Sequence, residues 1–169
     1  MIRILFVLLF LFFSLSFQDL ASAADENIKN VQIFLNWLGY HPGKPDGAVG
    51  SQTQKAIKEF QLHHGFPATG QLDEKTRKKI TKIAGEYYKC LSGVVDDLGK
   101  KVHGKVQAGF TTNNSYFGVV AARGTYLEFP EGSPEEVLTS MQTVIEGKPP
   151  AQPLVFRCKQ IVMNYRKNK

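Results

Sequence analysis

The chain has 169 residues, with 21 Lys and Arg against 15 Asp and Glu, a net charge of +6. That modest surplus, with no interleaving of basic and aromatic residues in a chain that opens like an exported one, argues against nucleic acid as a partner. It suits an anionic polymer, and equally a solvated surface that keeps the protein in solution.

Met1-Ile2-Arg3 precedes an apolar run at 4–17, and Ala21-Ser22-Ala23 follows. A basic start, an apolar centre and small residues at an A-x-A site read as a secretory signal peptide over residues 1–24. The run is about 14 residues, short of the roughly 20 that cross a bilayer, so no membrane span is expected after cleavage. No cysteine stands directly after the cleavage site, which argues against a lipid anchor. The expected location is periplasmic or secreted. Cleavage leaves enough chain for one ordinary domain or two small ones, divided here at 25–84 and 85–169.

In the first part, Ile28, Val31, Leu35 and Leu38 are spaced three, four and three apart and share one helical face. Gly39 closes that helix. Trp37 falls off the stripe and either packs in the core or faces a partner. Tyr40 to Gly50 is a loop rich in Pro and Gly, with Asp46-Gly47 suited to a tight turn. Ser51 and Gln54 form a capping-box pattern for a second helix that buries Ala56, Ile57 and Phe60 and ends near His63. Phe66 and Leu72 point back to the core. Asp73 is the expected cap of a third helix, which buries Ile80 and Ile83 and exposes Arg77, Lys78, Lys79 and Lys82. A short segment repeats here: DGAVGSQTQKAI from Asp46 aligns with TGQLDEKTRKKI from Thr69. Each copy is a Gly turn, an apolar plug and a helix start. Two copies this close predict one compact unit with internal pseudo-symmetry.

Val31-Gln32, Leu35, Leu38-Gly39-Tyr40, Asp46-Gly47, Gly50, Thr53, Ala56-Ile57, Phe60-Gln61, Gly65, Thr69-Gly70, Leu72 and Thr76 appear in the order and spacing of a known family. On these residues the stretch at about 27–83 resembles the peptidoglycan-binding domain family, three-helix modules found on many bacterial cell-wall hydrolases. The resemblance covers roughly a third of the chain. It implies the fold and peptidoglycan as ligand, and no catalysis. A wall-binding groove needs polar groups for stem-peptide amides and carboxylates, and an apolar floor for sugar faces. The loop at 40–53 and the helix end at 61–64 are expected to supply it, with Tyr40, Asp46, Thr53, Gln61, His63 and Thr69 as candidate ligand contacts. Asp46, Thr53 and Thr69 have a rival role in turns and caps. His63 and His64 do not make a metal site, since helical neighbours point in different directions and no acid or Cys joins them at ligand spacing. No metal or other cofactor is expected.

Residues 85–169 resemble nothing recognised. A helix over 86–102 is followed by strands near 105–112, 116–122 and 125–129, the last two joined at Arg123-Gly124. Ser133-Pro134-Glu135-Glu136 opens a further helix ending at Gly147, and 154–165 reads as a closing strand. The fold class is thus α+β: an N-terminal three-helix bundle and a small α+β domain with an antiparallel sheet. Cys90 and Cys158 are expected to pair, tying its first helix to its last strand; the rival is a reactive thiol with His103 as its base. No HExxH-like pattern marks a zinc peptidase. Neither cysteine lies in the Ser/Thr-His-Gly-Cys context of an L,D-transpeptidase. The function expected is therefore an exported, non-catalytic peptidoglycan-binding protein whose C-terminal part is an accessory or a partner-binding module, with an envelope protein as the candidate partner. The alternative is a wall hydrolase or transferase with its active site in 85–169.

Overall fold

The computed structural model describes residues 25–111 and 113–167. The stretch at 1–24, where a signal peptide is expected, lies outside them, as do Thr112 and residues 168–169. Three helices come first: α1 (Glu26–Trp37), α2 (Ser51–His63) and α3 (Glu74–Lys101). Asp25 caps α1 by accepting from the Asn27 N–H, and Asp73 caps α3 by accepting from the Thr76 N–H at 2.7 Å. The capping box expected at Ser51 does not form. Gly50, in extended backbone, is the cap residue and accepts the Gln54 N–H through its carbonyl, which places Ser51 already inside the first turn. Val31, Leu35, Leu38, Ile57, Phe60, Ile80 and Ile83 close the first core between these helices.

At 28 residues, α3 belongs to both halves of the molecule. It runs unbroken through Ala84 and Gly85, and its C-terminal half buries Tyr87, Leu91, Val94 and Leu98 in a second core. Strands β1 (Gly104–Phe110), β2 (Tyr116–Ala122) and β3 (Thr125–Gly132) form an antiparallel sheet in that order. Arg123 and Gly124, with φ of 50° and 80°, make the two-residue connection between β2 and β3. Helix α4 (Pro134–Glu146) opens with the expected capping box between Ser133 and Glu136 and closes on left-handed Gly147. It lies so near the sheet that a Cβ on Gly118 would stand 2.3 Å from the Met141 sulfur. Tyr116, Val120, Val137, Leu138 and Met141 fill the layer between.

The closing segment corrects the sequence reading: it is a helix, α5 (Phe156–Lys167), and not a strand. Cys158, Val162 and Tyr165 are spaced four and three apart, and they turn toward α3 and the two cores. The sheet keeps three strands, and α5 carries one half of a disulfide to Cys90 with Cα atoms 5.5 Å apart.

The two cores are pinned together at more than the shared helix. Val162 packs against both. The Tyr165 hydroxyl donates to Glu86 at 2.8 Å, and the Lys79 ammonium lies 4.7 Å over the Tyr165 ring. Trp37, open to two readings in the sequence, stacks on Phe110 of β1 with centroids 4.1 Å apart, and its indole N–H donates to Asn114. It therefore packs, and what it packs against is the second half of the chain. Among the described residues no helix is long and apolar enough to cross a membrane.

Candidate functional site

The sequence repeat becomes a repeated hydrogen-bonding device. Gln32 is buried on α1, and its carbonyl oxygen accepts the Gly47 N–H at 2.9 Å. Its amide nitrogen faces Asp46 Oδ1 at 3.1 Å, the Ala48 carbonyl at 2.9 Å and Thr53 Oγ1 at 3.0 Å. Gln61 on α2 repeats the arrangement one copy later. Its carbonyl accepts the Gly70 N–H at 2.8 Å, and its amide faces Thr69 Oγ1, the Gln71 carbonyl and Thr76 Oγ1 at 3.3, 2.9 and 3.2 Å. In each copy a buried glutamine clasps the Gly turn and the threonine in the first turn of the next helix. A buried amide needs such partners for both its ends, and here they come from the loop it holds shut. Gln32 was not singled out for this role from the sequence. The signal was present, because Val31-Gln32 and Phe60-Gln61 are the same apolar–Gln pair placed ahead of the two aligned turns.

The six candidate contacts fall into three groups. Asp46 and Thr53 meet at Gln32, and Gln61 and Thr69 meet each other. Tyr40 and His63 form the third, joined through the tyrosine hydroxyl and His63 Nδ1 at 3.1 Å. Thr53, Gln61 and Tyr40 are buried, with the Tyr40 ring edge-on to Phe60. Asp46 and Thr69 are exposed on the two turns and His63 is half-buried, so these three carry the accessible polar groups. The basic run on α3 is less free than its sequence suggests: Arg77 and Lys78 pair with Glu74, and Lys79 lies over Tyr165. Among the described residues no three His, Cys, Asp or Glu side chains stand close enough to hold a metal ion.

The Ala48 N–H, followed by the Gln32 amide, holds the Asp46 carboxyl below its ordinary pKa of 3.8. A depressed carboxyl pKa contributes stability that is present above the ordinary value and lost as pH falls through the folded one. Asp46→Asn is thus expected to melt below wild type near neutral pH, with the difference closing at acid pH. Thermal melts across the acid limb check this; a gap that stays constant down to about pH 2 would rule out a charge-based role for Asp46.

A second region holds the aromatic floor and polar rim expected of a binding cleft. Cavities of about 230 and 180 Å³ adjoin at the junction of the two halves, where both are lined by Trp37, Tyr87 and Glu135. Burial, and then Glu135, raise the Tyr87 hydroxyl above the usual tyrosine range. Among the described residues Glu135 is the one acid lining this cleft, whereas glycoside hydrolysis ordinarily takes a pair. Cys90 and Cys158 are bonded to each other, so neither offers a thiol.

Residues 24–80 match the family model described as "Putative peptidoglycan binding domain", the family the sequence resembles. Among curated proteins, the chain is 32% identical over 75 residues to the "Probable CtpA-like serine protease" of Staphylococcus haemolyticus, across 44% of this chain and 15% of that protein. It is 33% identical over 63 residues to "Localization factor PodJL" of Caulobacter vibrioides, across 37% of this chain and 6% of that protein. It is 33% identical over 60 residues to the "Spore cortex-lytic enzyme" of Bacillus cereus, across 36% of this chain and 23% of that protein. The chain thus spans under a quarter of each of these relatives. No solved structure matches it.

Proposed function

We propose that the protein is exported, binds peptidoglycan without cutting it through residues 27–83, and uses residues 85–169 to engage a partner in the envelope. The observation that carries this reading is the family match at 24–80, falling on a three-helix unit in which both glutamine clasps are complete. Asp46 and Thr69 on the two clasped turns, and the half-buried His63 at the end of α2, are the contacts we assign to the wall. A disulfide supports the periplasmic or extracellular address, because such bonds persist in oxidising compartments. The bonding of both cysteines and the lone acid of the junction cleft favour the non-catalytic reading over a hydrolase.

The test is co-sedimentation of the chain from Asp25 onward with purified peptidoglycan, followed by mass analysis of the wall. The expected result is saturable pelleting and an intact wall, with pelleting weakened when Asp46, His63 and Thr69 are replaced together by Ala. Release of muropeptides would instead establish the hydrolase reading and place an active site in residues 85–169. Absence of pelleting would remove wall binding.

A further inference from the structure

Strand β3 is an outer strand of the sheet, and among the described residues no strand pairs with its far side. It is exposed along nearly its whole length. Helix α4 runs beside it in the opposite direction, and two cavities lie between them. One, of about 290 Å³, sits at the start of β3, floored by Val120, Leu127, Val144 and Ile145 and rimmed by His103 and Arg123. The other, of about 400 Å³, sits at the end of β3 and is rimmed by Glu131 and Glu136. The groove therefore has an apolar pocket under positive charge at one end and carboxylates at the other. Lys101 at the basic end is already paired with Glu146. His103 and Arg123 make no ion pair or side-chain hydrogen bond among the described residues.

Arg123 adds a second observation. It occupies the first central position of a two-residue hairpin turn at φ 50°, where asparagine, aspartate or glycine is the comfortable residue. A left-handed arginine is a local strain, and such strain collects at binding sites. Here it holds a free guanidinium at the mouth of the apolar pocket.

We propose that this groove binds the C-terminal segment of a protein partner as an added strand. The partner's backbone pairs with the open edge of β3 from Thr125 to Phe129, since Pro130 has no N–H to offer; its last apolar side chain enters the pocket over Val144 and Leu127, and its terminal carboxylate meets Arg123 and His103. The carboxylate lies at the start of β3, so the added strand runs antiparallel to it. That paired stretch spans roughly 13 Å, about four residues, and a hexapeptide carries its first two residues on past Pro130, so a basic residue near its start meets Glu131 and Glu136. The proposal rests on the reading of residues 85–169 as a partner-binding part and names the chemistry of that partner.

The test is fluorescence anisotropy on the disulfide-intact protein with labelled hexapeptides. The set begins with two lysines, ends in Val, Ile, Leu, Phe or Ala, and is made both as free acids and as amides. The free acids ending in branched residues are expected to bind saturably, with the amides weaker by about tenfold or more. Arg123→Asn, a substitution the turn favours, should keep or raise the melting temperature while removing the preference for the acid. Val144→Asp, at an exposed position in the pocket, should abolish binding of both forms. Equal binding of acid and amide, retention of the preference by Arg123→Asn, or failure of every peptide would overturn the proposal. So would saturable binding of octanoate with no competition from the peptides. Wall co-sedimentation of the same samples separates the two readings: Arg123→Asn should pellet as wild type does, and peptide binding without pelleting would sink the wall reading alone.

Discussion

Gln61→Leu should cost the protein roughly 2–4 kcal/mol, although the side chain changes little in size. The buried Gly70 N–H loses its acceptor, and the Thr76 hydroxyl and Gln71 carbonyl lose their donor. Each buried group left without a partner costs about 1–3 kcal/mol, while an ordinary hydrogen bond contributes nearer 1. A shift of about 5–15 °C in melting temperature is expected for a protein of this size. Gln32→Leu should behave alike, since Gln32 holds Gly47, Ala48 and Thr53 in the same way. Gln61→Glu tells the chemistry apart from the shape. A carboxylate there accepts from Gly70, but its second oxygen faces the Gln71 carbonyl, which cannot donate, so the variant should be weakest at neutral pH and regain stability as acid protonates it. The sign is that of a carboxyl whose folded pKa is raised: the penalty sets in as pH rises past its unfolded value. Circular-dichroism melts at neutral and acid pH measure both effects. A Gln61→Leu melt within a degree or two of wild type would mean that the clasp is not what holds the turn shut.

Removing the disulfide is the second large effect. Cys90 and Cys158 lie 68 positions apart, and a loop of that size gives a cross-link worth about 4 kcal/mol in the chain-entropy account. The Cys90→Ala/Cys158→Ala double variant should therefore unfold at clearly lower denaturant, with wild type falling to a similar midpoint under reductant. The loss should reach beyond the second half. Helix α5 carries Val162 and Tyr165 onto the first core, so loosening it also uncovers part of that core. Urea titration followed by Trp37 fluorescence reads this directly, because the indole lies on the junction itself. An unchanged midpoint would show that packing alone holds α5 in place.

The helical module was legible because its signals are local. Apolar residues three and four apart set the faces of α1 to α3, Gly39 and Gly65 take the left-handed backbone that ends a helix, and Asp73 caps as its position suggests. Ser133 with Glu136 and the hairpin at Arg123-Gly124 were legible for the same reason, whereas the cysteine pair, 68 positions apart, was legible from an even cysteine count in a chain expected to be exported. The closing helix was not. Val155, Ile161 and Val162 are β-branched and bias a short segment toward strand, whereas the fact that decides it is tertiary: Cys158 must reach Cys90 while Val162 and Tyr165 reach the cores. The continuity of α3 was obscured by Gly85, which costs roughly 1 kcal/mol in a helix interior relative to alanine. Burial of Ala84 and Tyr87 on either side outweighs it. In the candidate site, turn residues such as Asp46 and Thr69 could be named from the pattern, but their binding to one glutamine each could not. That pairing joins positions 14 and 8 apart across a loop whose path only the fold fixes.

The unbroken course of α3 settles how the two halves can move. A helix of 28 residues is a rod of about 42 Å, and each half is built around one end of it. A glycine- and serine-rich tether of similar length would let its passenger sweep a wide volume at almost no energetic cost. A rod packed at both ends allows no such sweep. With the first half resting on a flat, extended surface, the open edge of β3 would face one direction and stand at one height, so an encounter with a second molecule there would depend on how that molecule is itself oriented. The geometry is that of a bracket and not of a leash.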